Sequence, residues 1–149
     1  MSHAQDDTIK TYRALEKFAQ TGKARTLGIS NFNASAIDAL YARGLRVPPS
    51  VNQCGFSIAG HNKTLLGRDL QTLAKCKEKG ITYSAYSPLG GLSGVDVLSN
   101  PMVKQVAAAH NKSTAQVAMR FTPQTSSFTP PPSHHLIQIL TFARWRCGG

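Results

Sequence analysis

Cysteine, acidic side chains and long apolar runs are what this chain of 149 residues has little of. Its three cysteines, Cys54, Cys76 and Cys147, are odd in number and widely spaced. They form no C-x-x-C pair, which argues against a disulfide framework and a thiolate metal site, so a reduced, cytoplasmic protein without a metal is expected. No stretch reaches the ~18 consecutive apolar residues of a membrane helix, and no membrane partner is expected. The opening Met1-Ser2-His3-Ala4-Gln5-Asp6-Asp7 is polar and acidic, unlike a signal or transit peptide. Asp and Glu number 7 against 17 Lys and Arg, a formal net charge of +10. That charge raises nucleic-acid binding as an alternative, but clustered Arg/Lys interleaved with aromatics is missing. The densest cluster, Lys75, Lys77 and Lys79, fits a solvated helix face with Leu70, Leu73 and Ala74 turned to the core. Mild attraction for phosphorylated ligands is all the charge implies.

What is present is a chain long enough for one core and too short for two comfortable domains. Its elements alternate. Asp7 or Thr8 can cap a helix bearing Ile9, Tyr12, Leu15, Phe18 and Ala19, and Gly22 ends it. Arg25 to Ile29 reads as a short strand. Asn33 caps a helix carrying Ile37, Leu40 and Tyr41, and Gly44 closes it. A second strand covers Ser50 to Cys54, a helix about Leu65 to Lys79, and a third strand Ile81 to Ala85. Two further helical patterns follow, one after Pro101 and one capped by Ser113 or Thr114. Strand starts near 25, 50 and 81 fit βα units with parallel strands, because parallel neighbours need a crossover between them.

The third strand runs into Tyr86-Ser87-Pro88-Leu89-Gly90 and a loop with Gly91 and Gly94. An aromatic and a hydroxyl delivered to a glycine-rich loop is a common way for α/β folds to build a ligand site at strand carboxyl ends. Four segments carry a resemblance: Gly28-Ile29-Ser30-Asn31-Phe32, Val51-Asn52-Gln53, Ala85 to Gly90, and Ala115-Gln116-Val117-Ala118-Met119-Arg120-Phe121. In this order and spacing they resemble successive motifs of the aldo-keto reductases, over roughly Thr8 to Phe121. The resemblance implies an α/β fold, a partial (β/α)8 TIM barrel with about three parallel strands. A complete barrel runs to about 250 residues. It also implies an NADPH-dependent reductase of aldehydes and ketones, acting on a small carbonyl substrate.

In that family the residues matching Ser30, Asn31 and Gln53 hydrogen-bond the nicotinamide carboxamide. The one matching Tyr86 stacks on the ring, and those matching Ser87 and Leu89 run beside the pyrophosphate. The chemistry agrees, since an amide headgroup wants a donor and an acceptor in one plane. The simpler roles are a turn cap for Asn31, a strand edge for Gln53 and core for Tyr86. The family's proton-donating Tyr, its Lys and Asp partners and its orienting His lie on strands ahead of the segment matched here. Lys10 and Tyr12 fall on the first helix and Tyr83 lies within a different strand, so no catalytic residue is assigned. His61 and His110 read as solvated, and His134-His135 is too little for a metal.

After Phe121 the composition changes abruptly. Residues 122–149 are Pro/Ser/Thr-rich, with a short apolar run from Leu136 to Phe142, and read as a disordered tail of out-of-frame or intron-derived character. The expectation is an incomplete reductase domain over 1–121: the carboxyl-terminal half of an aldo-keto reductase, inactive alone, with two open sheet edges prone to self-association. The alternative is an inactive binding or regulatory module that pairs with another protein.

Overall fold

The structure, a computed structural model, describes residues 3–59, 69–90, 95–125 and 142–144. Within them the order is α1 (His3–Gln20), β1 (Leu27–Ser30), α2 (Ala34–Tyr41), β2 (Pro49–Gly55), α3 (Leu70–Glu78), β3 (Thr82–Tyr86), α4 (Pro101–Ala109), α5 (Thr114–Thr125) and β4 (Phe142–Arg144). The strands make one sheet in the order β3-β2-β1-β4, and every pairing is parallel. The expected three parallel strands and their helices are there, as a partial α/β barrel.

The helix ends follow local chemistry. Asn33 accepts from the Ala36 amide at 2.9 Å, and Asp69 accepts from Thr72 at 2.7 Å. Ser113 and Gln116 form a reciprocal capping box, each side chain accepting from the other's backbone N–H. Gly80, at φ +68, turns the chain out of α3 into β3.

One face of the sheet is apolar and carries the core. Leu27 and Ile29 of β1, Cys54 of β2 and Tyr83 of β3 pack with Tyr12 of α1, Ile37 and Leu40 of α2 and Cys76 of α3. Each buried Ile, Leu or Phe there is worth about 1.5–3 kcal/mol of burial. Glu16 of α1 is equally buried, and its carboxylate takes the Arg46 and Val47 amides and the Arg13 guanidinium. That contact ties α1 to the segment entering β2. A smaller cluster of Val97, Val103 and Ala118 holds α4 against α5. Phe56 links it to the sheet, stacked on Phe121 at 6.0 Å and edge-on to Tyr83 at 5.6 Å.

Several expectations need correction. Helix α1 begins at His3, so Asp7 and Thr8 lie inside it rather than at its cap. Leu70 is 66% exposed, because it is the first residue of α3 and its side chain stands clear of the sheet. Lys75 and Lys79 are not a bare solvated face: both pair with Glu78, Lys75 also with Asp38, and Lys79 sits over the Tyr41 ring. Helix α5 continues through Thr125, so 122–125 are helical rather than disordered tail. Residues 142–144, expected within a disordered tail, are a strand paired with β1, and among the described residues the sheet's two open edges are β3 and β4. Residues 60–68, 91–94, 126–141 and 145–149 lie outside the described residues. The expected helix start at Leu65, His61, Gly91, Gly94, the His134-His135 pair and Cys147 fall among them.

Candidate cofactor site

Register decides which side chains meet. Ser30 of β1 lies opposite Gln53 of β2, and Gln53 opposite Ser84 of β3. Side chains in one row of a sheet share a face, so Ser30, Gln53 and Ser84 form a polar row on the side away from the helices. Ser84 is a member the motifs did not single out; its neighbours across the sheet are its only signal.

The exits of β1 and β3 sit just beyond that row. Three non-glycine residues have positive φ among the described residues: Asn31 (59°), Ser87 (54°) and Asn111 (49°). Two of the three follow directly on a strand of this sheet. Left-handed backbone at non-glycine positions costs free energy and clusters at functional sites. Asn31 shows what it achieves. Strict alternation after Ile29 and Ser30 would turn Asn31 toward the helices and Phe32 away from them. The left-handed turn reverses this. Phe32 is buried in the core, and Asn31 stays on the side of Ser30 and Tyr86.

A short network results. The Asn31 amide and the Ser30 hydroxyl both donate to the Gln53 carbonyl, at 2.9 and 3.0 Å. Asn31 Nδ2 donates to Ser30 Oγ at 3.3 Å, and the Tyr86 hydroxyl donates to Asn31 Oδ1 at 3.0 Å. Tyr86 is on β3 and Asn31 follows β1, so the phenol reaches across β2. Its row partner there is Gly55, which has no side chain to block the path. Ser87 and Leu89 continue from Tyr86 on the same exit; Leu89 is 40% exposed, and Ser87 accepts from the Gly90 amide. Ser30, Asn31, Gln53 and Tyr86 are thus brought together, with Ser87 and Leu89 adjoining in sequence.

The donor set fits an amide-bearing ring. After its internal bonds the Asn31 carboxamide keeps one N–H and one oxygen lone pair. The Gln53 carboxamide has no hydrogen-bond partner among the described residues and is only half-buried. Ser30 is 8% exposed, so its hydroxyl positions Asn31 more than it meets a ligand.

A cavity of about 920 Å³ lies between the exit of β2 and helices α4 and α5. Ile58, Val97, Val103, Val106, Val117 and Phe121 line it, and it shares no residue with the polar row. Its carboxamides, Asn100 and Gln116, are engaged in helix caps. The strand-exit cluster is the better candidate, because it joins the Asn31 carboxamide to Tyr86 across the sheet and carries two left-handed strand exits, whereas both carboxamides of the cavity are held in helix caps.

Tyr83 and Tyr12 are buried on the helix side, and burial pushes both phenols well above the ordinary 10. His110 ends α4 as its cap, on the rim of the apolar cavity. Among the described residues no group of three or more His, Cys, Asp or Glu could hold a metal ion. No described helix is long and apolar enough to cross a membrane.

A model of the Aldo/keto reductase family matches residues 2–134. The chain belongs to that family. Its relatives include aldo-keto reductase family 4 member C11 of Arabidopsis thaliana, 38% identical over 133 residues that cover 85% of this chain and 39% of that protein. Glyoxal reductase of Bacillus subtilis (strain 168) is 37% identical over 137 residues, 90% of this chain and 46% of the relative. Among solved structures, the aldo-keto reductase MGS-M4 from a Medee basin deep-sea metagenome library superposes with a TM-score of 0.66 at 30% identity, covering 80% of this chain and 41% of that one. The chain spans less than half the length of these relatives.

Proposed function

We propose that the cluster at the exits of β1, β2 and β3 binds the nicotinamide end of NADPH, in the cofactor half of an oxidoreductase acting on small aldehydes or ketones. The observation that carries this is the left-handed Asn31, which sets its carboxamide beside the Tyr86 ring. Asn31 and Gln53 would hold the carboxamide of the ligand, and the Tyr86 ring would cover one face of the nicotinamide. Ser87 and Leu89 would border the phosphates. When bound, the cofactor supplies a hydride; the residues of this chain orient the ring. Proton transfer needs a Tyr, Lys, Asp and His set that is not assigned to any residue here, so this chain alone is expected not to turn over.

The test is a titration of the chain with NADPH, followed by nicotinamide fluorescence, on the natural sequence and on Tyr86→Phe and Tyr86→Ala. The phenylalanine keeps the ring face and is expected to bind within about threefold of the parent. The alanine should bind about tenfold more weakly, the scale of one aromatic contact with its buried area. Equal affinity in all three would refute the assignment. NADPH oxidation with an aldehyde above the uncatalysed rate, abolished by Tyr86→Ala, would refute the expected inactivity.

A module that pairs with another protein, or with a second copy, is the other reading. It is favoured by β3, which ends the sheet with no strand beyond it among the described residues, and by the apolar lining beside α4 and α5. Sedimentation of the isolated chain tests it: a monomer that co-purifies with nothing would remove it.

A further inference from the structure

Asn52 is fully buried in the middle of β2, on the helix side of the sheet, where an apolar residue would be the ordinary choice. Its carboxamide answers both backbone groups of one residue on another strand's exit. Phe32 N donates to Asn52 Oδ1 at 3.4 Å, and Asn52 Nδ2 donates to Phe32 O at 2.8 Å. The same Nδ2 touches Cys76 Sγ of α3 at 3.6 Å, which fixes the amide's rotation.

Those two bonds replace what the backbone gives up. The β1–β2 ladder runs through the Asn31 amide and the Gln53 carbonyl. Once Asn31 turns left-handed, the Phe32 peptide leaves the ladder and enters the core, where an unpaired N–H or C=O costs about 1–3 kcal/mol. A side-chain amide offers N–H donors and an oxygen acceptor in one plane, the two functions a backbone residue needs answered. We propose that Asn52 is the positioning residue of the nicotinamide site, holding Phe32 in the core so that Asn31 must adopt positive φ and present its carboxamide to the ligand side. It touches no ligand itself, and this role rests on the cofactor reading above.

The consequence is separable from general stability. Asn52→Leu keeps the branched shape in a larger side chain and removes both bonds, while Ile37→Ala, in α2, lowers stability and removes no hydrogen bond at the exit of β1. Two readouts are taken on the whole chain by NMR. The first is the strong intraresidue amide-to-Hα contact of Asn31 that marks positive φ. The second is the affinity for reduced nicotinamide mononucleotide. Asn52→Leu is expected to lose the Asn31 signature and about tenfold or more in affinity, since displacing a binding group by about 1 Å can cost up to 100-fold. Ile37→Ala is expected to keep both. Retention of the Asn31 signature in Asn52→Leu, or its loss in both variants, overturns the proposal. If the natural chain does not bind the nucleotide, the cofactor reading fails, and the Asn31 signature still decides the role of Asn52. Should Asn52→Leu not fold, hydrogen exchange on the natural chain decides. The Phe32 amide is expected to exchange as slowly as that of Ile29, and exchange at the rate of an open loop overturns the proposal.

Discussion

Replacing Glu16 by alanine removes a carboxylate that is 2% exposed and holds together two segments distant in sequence. Arg46 N and Val47 N donate to its Oε1 at 2.6 and 2.9 Å, and Arg13 Nη1 to its Oε2 at 2.7 Å. Arg13 in turn donates to the Arg43 carbonyl, so the cluster spans α1 and the chain between α2 and β2. Hydrogen bonds to a charged group are worth about 1.5–3 kcal/mol each. Arg46 is exposed and can find water, so the low end applies, and the two backbone bonds together give about 3 kcal/mol. That is a large part of the 5–15 kcal/mol typical of a domain. Glu16→Gln keeps a neutral acceptor for both amides and should lose about 1–2 kcal/mol.

The pH dependence has a definite sign. Burial by itself would raise the Glu16 pKa, but the Val47 amide, the Arg13 guanidinium and the Arg46 amide outweigh it, so the folded value lies below the ordinary 4.5. Its contribution is fully present above the unfolded value and is lost as pH falls through the folded one. Urea unfolding of the natural chain and both variants, followed by circular dichroism at neutral and acid pH, reads this directly. The glutamine variant should fall short at neutral pH and converge with the natural chain in acid. An alanine variant within about 1 kcal/mol of the natural chain at neutral pH, or a glutamine gap undiminished in acid, would refute the reasoning.

Two other outcomes follow from the same kind of reading. Gly80→Ala meets no atom within 4 Å, so its whole cost is the positive φ of 68°, about 1–2 kcal/mol by chemical denaturation; Gly80→Asn should lose less, because asparagine tolerates that conformation. Burial pushes the thiols of Cys54 and Cys76 up to about 12 and about 11, so in a Cys147→Ser background neither should react with a thiol reagent at pH 8 until denaturant is added. Rapid labelling of the folded chain would show that α3 does not close over β2.

Local rules were enough for much of this protein. Asn33 and Ser113 cap helices because short polar side chains compete for orphan amides, and each cap depends on residues within three positions of it. Parallel strands followed from their spacing, because crossovers need length. The four motifs pointed to the family and picked out Ser30, Asn31, Gln53, Tyr86, Ser87 and Leu89 as candidate cofactor residues. Tertiary structure alone decided how the first four meet. No sequence period shows that Asn31 reverses the alternation of β1, that Tyr86 crosses β2 over Gly55, or that Asn52 answers the Phe32 backbone. Nor could composition show that Glu16 on α1 would be buried against Arg46 and Val47, or that residues 142–144 would pair with β1. These contacts join segments 20 to more than 100 residues apart. Local propensity carries no information at that range, and only packing and the demand for paired polar groups select them.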